Sequence, residues 1–313
     1  MPAQIIRFCL AIIAACGLIA LQFDDIALAE TQQDIPFDYP GAGFSYAVAG
    51  IGQGMADIDG GGSYSTSSLL LRLGLMKLMS RGTLIGFGVS LGNTRYNFED
   101  LAAFGGQAPW NTVRNINFSI PVITRIDRNW AFLFAPSVGV FKETGASTSD
   151  SLAYGAVMAA SYRFEDKSRI GVGLGVFNRL DETKLFPFLS INLRLTDNLR
   201  LGNPLRAGPT GPAGLELAYK IDQTWEVAIG RAFRSYRFRL NEEGLAPGGI
   251  GTQSGQLTFL RVSNQLQKKL RLDIHLGVVL DGSLRIQNNV DDDGIAVDYD
   301  TAPLLGVNLN GRF

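Results

Sequence analysis

After residue 30, apolar and polar positions alternate with a period of two, and no helical period competes. In "TLIGFGVSLGN", Ile85, Phe87, Val89 and Leu91 alternate with Gly86, Gly88, Ser90 and Gly92. "RIGVGLGVF" sets Ile170, Val172, Leu174 and Val176 against three glycines, and "LRLDIHLGVVL" sets Leu272, Ile274, Leu276 and Val278 against Arg271, Asp273, His275 and Gly277. About fourteen such runs begin near residues 43, 66, 83, 112, 130, 152, 169, 185, 199, 213, 225, 255, 270 and 304. Most have about ten residues or more. That exceeds the common soluble strand of about five or six and matches what a tilted strand needs to cross a bilayer.

The links between the runs differ in length. "SRG" (80–82), "DRN" (127–129), "EDKS" (165–168), "TDN" (196–198), "DQT" (222–224) and "QKK" (267–269) are tight polar turns. Links at 57–65, 99–111, 143–151, 179–184, 204–212, 241–254 and 281–303 are longer and alternate with them. An up-and-down sheet then carries every short turn at one end and every long loop at the other, the asymmetry of a transmembrane barrel. The pattern predicts an all-β, antiparallel up-and-down transmembrane β-barrel of about fourteen strands, or twelve if the weak run near 199 and a neighbour do not pair. A soluble sandwich or lipocalin-like barrel also alternates, but needs neither such long strands nor this asymmetry. Trp130 and Trp225 follow short turns, and Tyr162 and Phe164 precede one. Tyr96, Phe98, Tyr154, Tyr236 and Phe238 adjoin long loops. These two groups are expected to form two interfacial girdles.

The last ten residues, "LLGVNLNGRF", place Leu305, Val307 and Leu309 on one face and end on Phe313. In this the chain resembles a Gram-negative outer-membrane β-barrel protein. In that family a terminal aromatic with alternating apolar positions is the signal recognised by the barrel-assembly machinery. Leu305, Val307, Leu309 and Phe313 match it, and Gly311 is the weak position. The resemblance covers 43–313. It implies contact with outer-membrane lipid and lipopolysaccharide, and location in the outer membrane of a Gram-negative bacterium.

The start of the chain agrees with export. Arg7, the apolar stretch Phe8 to Leu21 and "ALA" ending at Ala29 form a cleavable signal peptide over 1–29, followed by a short periplasmic segment, 30–42. The only cysteines, Cys9 and Cys16, fall in the signal, so the mature chain has no disulfide or thiolate site. The 313 residues carry a net charge of −1, which gives no basic face for nucleic acid.

Candidate chemistry is sparse. Arg194, Arg261, Arg271, Asp273 and His275 fall on the inferred inner face, while the earlier runs present glycine and serine there. These residues are the candidates to line a lumen. An Asp273–His275 pair suits general-base chemistry, but no serine lies in a nucleophile setting, so no enzyme is expected. "NNVDDDGIAVDYD" resembles a calcium loop, with Asn289, Asp291, Asp293 and Asp300 at ligand positions. It departs at its first and last ligands, and its ordinary alternative is a solvated acidic loop. No other cofactor is implied. In "RAFRSYRFRL", parity from Trp225, Val227 and Ile229 turns Arg231 toward lipid. Three alternatives follow: a bulge between Ala232 and Ser235, a position already at the outer headgroups, or a basic patch in the lumen. The function expected is a passive channel for small polar or anionic solutes. The alternative is a non-conducting structural or surface-binding barrel acting through its long loops.

Overall fold

The computed structural model describes residues 42–313 except 81, 181, 205–208, 211–212 and 290. The signal peptide and nearly all of the 30–42 segment lie outside the described residues. The strands are β1 (Gly43–Asp57), β2 (Ser63–Ser80), β3 (Thr83–Glu99), β4 (Thr112–Ser119), β5 (Val122–Arg125), β6 (Trp130–Glu143), β7 (Leu152–Arg163) and β8 (Arg169–Arg179). They continue with β9 (Glu182–Arg194), β10 (Leu199–Gly202), β11 (Gly214–Lys220), β12 (Trp225–Arg239), β13 (Ile250–Gln267), β14 (Leu270–Gln287), β15 (Ile295–Tyr299) and β16 (Ala302–Arg312). β4 and β5 are one stave broken at Pro121, since both pair with β3 and with β6. β15 and β16 are likewise one stave along β14. The result is a closed antiparallel barrel of 14 staves. β1 and β16 close it over nine residue pairs, from Ser45–Arg312 to Gln53–Leu304. Closure leaves no edge, which lipid requires because it cannot hydrogen-bond a free strand.

The staves are membrane-spanning because of what they expose. Val48, Leu69, Phe87, Phe118, Phe134, Met158, Val172, Leu185, Leu217, Ile229, Leu260, Leu276 and Leu305 lie on staves around the circumference, each more than a third exposed. A water-soluble monomer does not carry a continuous apolar belt of this extent. At the short-turn end the belt is edged by Trp130, Tyr162, Phe164 and Trp225. The sequence repeats one device there, Asp-x-x-Trp. Asp127 Oδ1 accepts the N–H groups of Asn129 and Trp130, both at 2.7 Å. Asp222 Oδ1 accepts those of Thr224 at 2.6 Å and Trp225 at 2.8 Å. Each carboxylate closes its turn and starts the rising strand on a tryptophan. The donated hydrogen bonds hold both carboxyls below the usual carboxylate range.

Above the belt the polarity inverts. Outward positions become Ser65, Ser67, Arg95, Asn97, Thr252, Ser254 and Arg285, each opposite another outward residue in register. Inward positions become apolar and aromatic. Tyr64, Tyr96, Trp110, Phe238, Leu257 and Leu284 are core members of one buried cluster across the barrel. The β3–β4 link adds Phe104 from a short 3-10 turn (Ala102–Phe104). The girdle expected from Tyr96, Phe98, Tyr236 and Phe238 is therefore corrected. These rings point inward and fill the upper barrel, and of the five only Tyr154 faces out. Parity decides the matter, since Tyr96 and Phe98 share their face with Gly86 and Gly88.

Three of the expected loops are also shorter. β14 runs to Gln287 and β15 begins at Ile295, so most of 281–303 is strand. The 241–254 link contracts because β13 starts at Ile250, and β8 and β9 meet over a tight turn with Leu180 at φ 48°. Long loops and short turns therefore do not alternate without exception. Of the link expected over 204–212, residues 204, 209 and 210 are described. Pro209 and Thr210 are buried, and a Cβ added to inward-facing Gly306 would lie 2.8 Å from Pro209 Cγ.

Candidate lumen site

Adjacent staves β10 to β14 and β16 turn their polar residues to the inside of the membrane-level barrel. Arg261 on β13 is fully buried at its centre. Its Nη2 donates to Glu216 Oε1 at 2.8 Å and to Glu226 Oε1 at 2.9 Å, and its Nε donates to Glu216 Oε2 at 3.2 Å. It also bonds Ser263 Oγ. Arg200 from β10 reaches the same Glu216 at 2.5 Å. Arg271 on β14 bridges Glu226 at 2.9 Å and Asp273 at 2.7 Å. Asp273, also fully buried, accepts from Ser263 Oγ at 2.5 Å, Asn308 Nδ2 at 3.2 Å and Asn310 Nδ2 at 2.8 Å.

The register explains the assembly. Asn308–Asp273, Asp273–Ser263 and Ser263–Glu226 are cross-strand partners on one face, so inward alternation alone stacks them. Three arginines (Arg200, Arg261, Arg271) meet three carboxylates (Glu216, Glu226, Asp273). The wall is neutral in sum.

Of the residues nominated from the sequence, Arg261, Arg271, Asp273 and His275 share this wall. Arg194 does not join it. It ends β9 exposed at the short-turn side, with its backbone N–H on Ser168 Oγ at 2.9 Å. Arg200, Glu216 and Glu226 were missed, although their parity with Ala218 and Ala228 marks them as inward. Asp273 and His275 do not bond to each other. The His275 ring is fully buried beside Phe259, with ring centroids 5.8 Å apart, and neither nitrogen has a hydrogen-bond partner among the described residues. A base needs a nucleophile within reach, and the serine in this network, Ser263, donates to Asp273 instead.

The arginine-rich strand β12 runs unbroken from Trp225–Asn264 to Arg239–Ile250 against β13, so it contains no bulge between Ala232 and Ser235. Arg231 stays outward and meets Asp281 at 3.3 Å. The irregularity lies in β14, where Asp281 takes φ 49°. Arg234 turns inward over the Tyr236 ring, 5.3 Å from its centroid.

In the acidic segment, the residue that closes the turn is Asp292, outside the calcium pattern. It accepts from Asn288 N at 3.0 Å, Asn288 Nδ2 at 2.9 Å and Gly294 N at 3.1 Å. Asn289 Oδ1 accepts from Asp291 N, and Asp300 lies beyond β15 with its N–H on Asp57 O. Among the described residues no three His, Cys, Asp or Glu side chains are grouped for a metal. At the chain end, Leu305 and Val307 face out, and Phe313 stacks on Phe44 and Tyr46 at 6.0 and 5.8 Å.

Residues 75–290 match the family model described as "Domain of unknown function (DUF6268)". The chain belongs to the DUF6268 family. No curated protein sequence matches it. Among solved structures, the DUF6268 barrel is similar to the COG4313 outer membrane channel from Pseudomonas putida F1, at 12% identity and TM-score 0.47, over 90% of this chain and 100% of that one. It is also similar to the P. putida toluene transporter TodX, at 10% identity and TM-score 0.41, over 88% and 91%. A third is the KdgM porin, at 8% identity and TM-score 0.35, over 86% and 99%.

Proposed function

We propose that this DUF6268 protein is an outer-membrane channel, closed on its long-loop side in this conformation and without net fixed charge at mid-membrane. The observation that carries this is the ionisable wall centred on Arg261. Charged groups inside a membrane-spanning barrel are costly to keep and by default mark a solute or ion path. Pairing of three arginines with three acids removes the basis for anion selectivity from Arg261 and Arg271. The solutes favoured at this level are small and polar. The aromatic cluster above the wall also supports a second reading, a barrel that does not conduct and acts through its outer surface. Export by the 1–29 signal, insertion by the assembly machinery through Leu305, Val307, Leu309 and Phe313, and contact with lipopolysaccharide at the polar outer rim belong to the same proposal.

Planar-bilayer recording separates the two readings. The channel reading expects small or brief openings with weak ion selectivity, enlarged when Trp110 is shortened to alanine. Silence from both proteins at high loading removes the channel and leaves the non-conducting barrel.

A further inference from the structure

At the short-turn end, on the wall opposite the neutral network, arginines gather around a cavity of about 520 Å³. Arg125 ends β5, Arg128 lies in the β5–β6 turn, Arg163 ends β7 and Arg169 opens β8. All four line the cavity with Asn129 and Trp130. The position of three of them follows from parity. Arg125 pairs with Ala131, on the face of buried Leu133 and Ala135. Arg163 and Arg169 are direct cross-strand partners, continuing the inward face of Ser161 and Gly171. Like charges placed directly opposite each other are unfavourable in a sheet.

Among the described residues the only carboxylate lining the cavity is Asp127, whose Oδ1 is taken by the N–H groups of Asn129 and Trp130. No ion-pair partner is seen for the side chains of Arg125, Arg128 or Arg163 among the described residues. The wall nominated from the sequence is thus charge-balanced, and this one, nominated by no motif, carries a strong excess of positive charge.

We propose that this cavity is a binding site for a small soluble polyanion of the phosphate class, entering from the periplasmic mouth. Guanidinium groups converging from neighbouring staves match the oxygens of a phosphate in pairs. The cavity falls within the range that holds a small organic ligand, so a phosphorylated solute fits better than a bare ion. The site deepens the channel reading by giving the passage a capture point, but its test does not require conduction.

The test is calorimetric titration of the refolded barrel with inorganic pyrophosphate at low salt. Saturable one-site binding that weakens with added salt is expected. The double variant Arg163→Ala/Arg169→Ala should bind about tenfold or more weakly, while it still migrates as a folded barrel on unboiled gels. Arg231→Ala, on the outer rim, should bind as the native chain does. No heat from the native barrel at millimolar pyrophosphate, or unchanged affinity in the double variant, overturns the site. Repeating the titration in nanodiscs with and without phosphatidylglycerol distinguishes the source of the phosphate. Loss of the pyrophosphate signal on adding that lipid assigns the arginines to a headgroup and overturns the soluble ligand. A barrel silent in bilayers that still binds pyrophosphate keeps the site and loses the channel.

Discussion

Lys142 and Arg239 are backbone partners in parallel register, so β6 and β12 touch directly above the short staves β7 to β11. All staves enclose the lumen at membrane level. Higher up, the ring closes early through this contact, which leaves a narrower barrel that its own side chains can fill. Outward polarity and inward apolarity coincide with the narrowing. The upper part is built like a soluble barrel and the lower part like a membrane one. In the channel proposed above, the passage is shut at this upper level, and that is where substitutions should open it.

Glu143 is the tie that holds this closure. It is buried, accepting Asn111 N–H at 2.8 Å from one cap loop and Asn241 N–H at 3.1 Å from another. Glu143→Leu strands both donors, at about 1–3 kcal/mol each if they stay buried. The expected outcome is faster proteolysis of 100–111 and 240–249 and more frequent openings in bilayers. Unaltered proteolysis and recordings would show that the cap does not depend on this carboxylate.

Arg261 and Arg271 should respond unequally to truncation. Arg261→Ala removes three bonds to two carboxylates and leaves Glu216 to Arg200 alone. Breaking a buried pair in this way costs about 3–5 kcal/mol. Arg271 is partly exposed, and Asp273 keeps Ser263, Asn308 and Asn310 without it, so Arg271→Ala should cost less. Urea unfolding of the two variants in the same lipid checks the order. An equal or reversed cost contradicts the assignment of Arg261 as the centre.

Much of this was legible in the chain, and its misses have physical causes. Alternation over Ile85–Leu91 or Leu272–Val278 fixes a face because lipid and lumen differ at membrane level. Above the belt the two environments exchange polarity, so the rule that apolar means outward fails there, and it places Tyr96 and Phe238 in a girdle they do not join. Glu216, Glu226 and Arg200 are not legible from the chain because single charges in short runs carry no local motif. Only register across neighbouring staves brings them to Arg261. The cavity arginines sit at strand ends beside turns, where charge is usually solvated, and only the Arg163–Arg169 pairing gives them away.

The two Asp-x-x-Trp turns predict a pH dependence of defined sign. Asp127 and Asp222 have carboxyls depressed in the folded state by the N–H groups they accept. A depressed carboxyl contributes stability above its unfolded value, and that contribution is lost as pH falls through the lower folded value. Native barrel should therefore lose stability below the ordinary carboxylate range more steeply than Asp127→Asn/Asp222→Asn, while near neutrality the native barrel is the more stable. Melting temperature followed from neutral to strongly acid pH checks this. Parallel curves for the two proteins would show that the turns contribute nothing to it.

The chain end gives the last prediction. Gly311 looked like the weak position of the closing strand, but it is opposite Tyr46 in the β1–β16 register. A Cβ there would meet the Tyr46 ring at 2.3 Å, and that ring also stacks on Phe313. The glycine is the space in which the ring lies, an aromatic packed over a strand glycine where first and last staves join. Phe313 adds a backbone bond of 2.8 Å to Phe44 O and its own stack on Phe44. Two changes should therefore act on the same seam. Gly311→Val should displace Tyr46 and slow closure, and deleting Phe313 should impair insertion more than deleting any one residue of the 100–111 loop. The fraction of barrel that migrates as folded on unboiled gels, followed over time after dilution into lipid, reads both. If Gly311→Val folds at the native rate while Tyr46→Ala does not, the glycine is not needed for the seam. If loss of Phe313 leaves the folded fraction unchanged, the terminal ring is not part of the closing step.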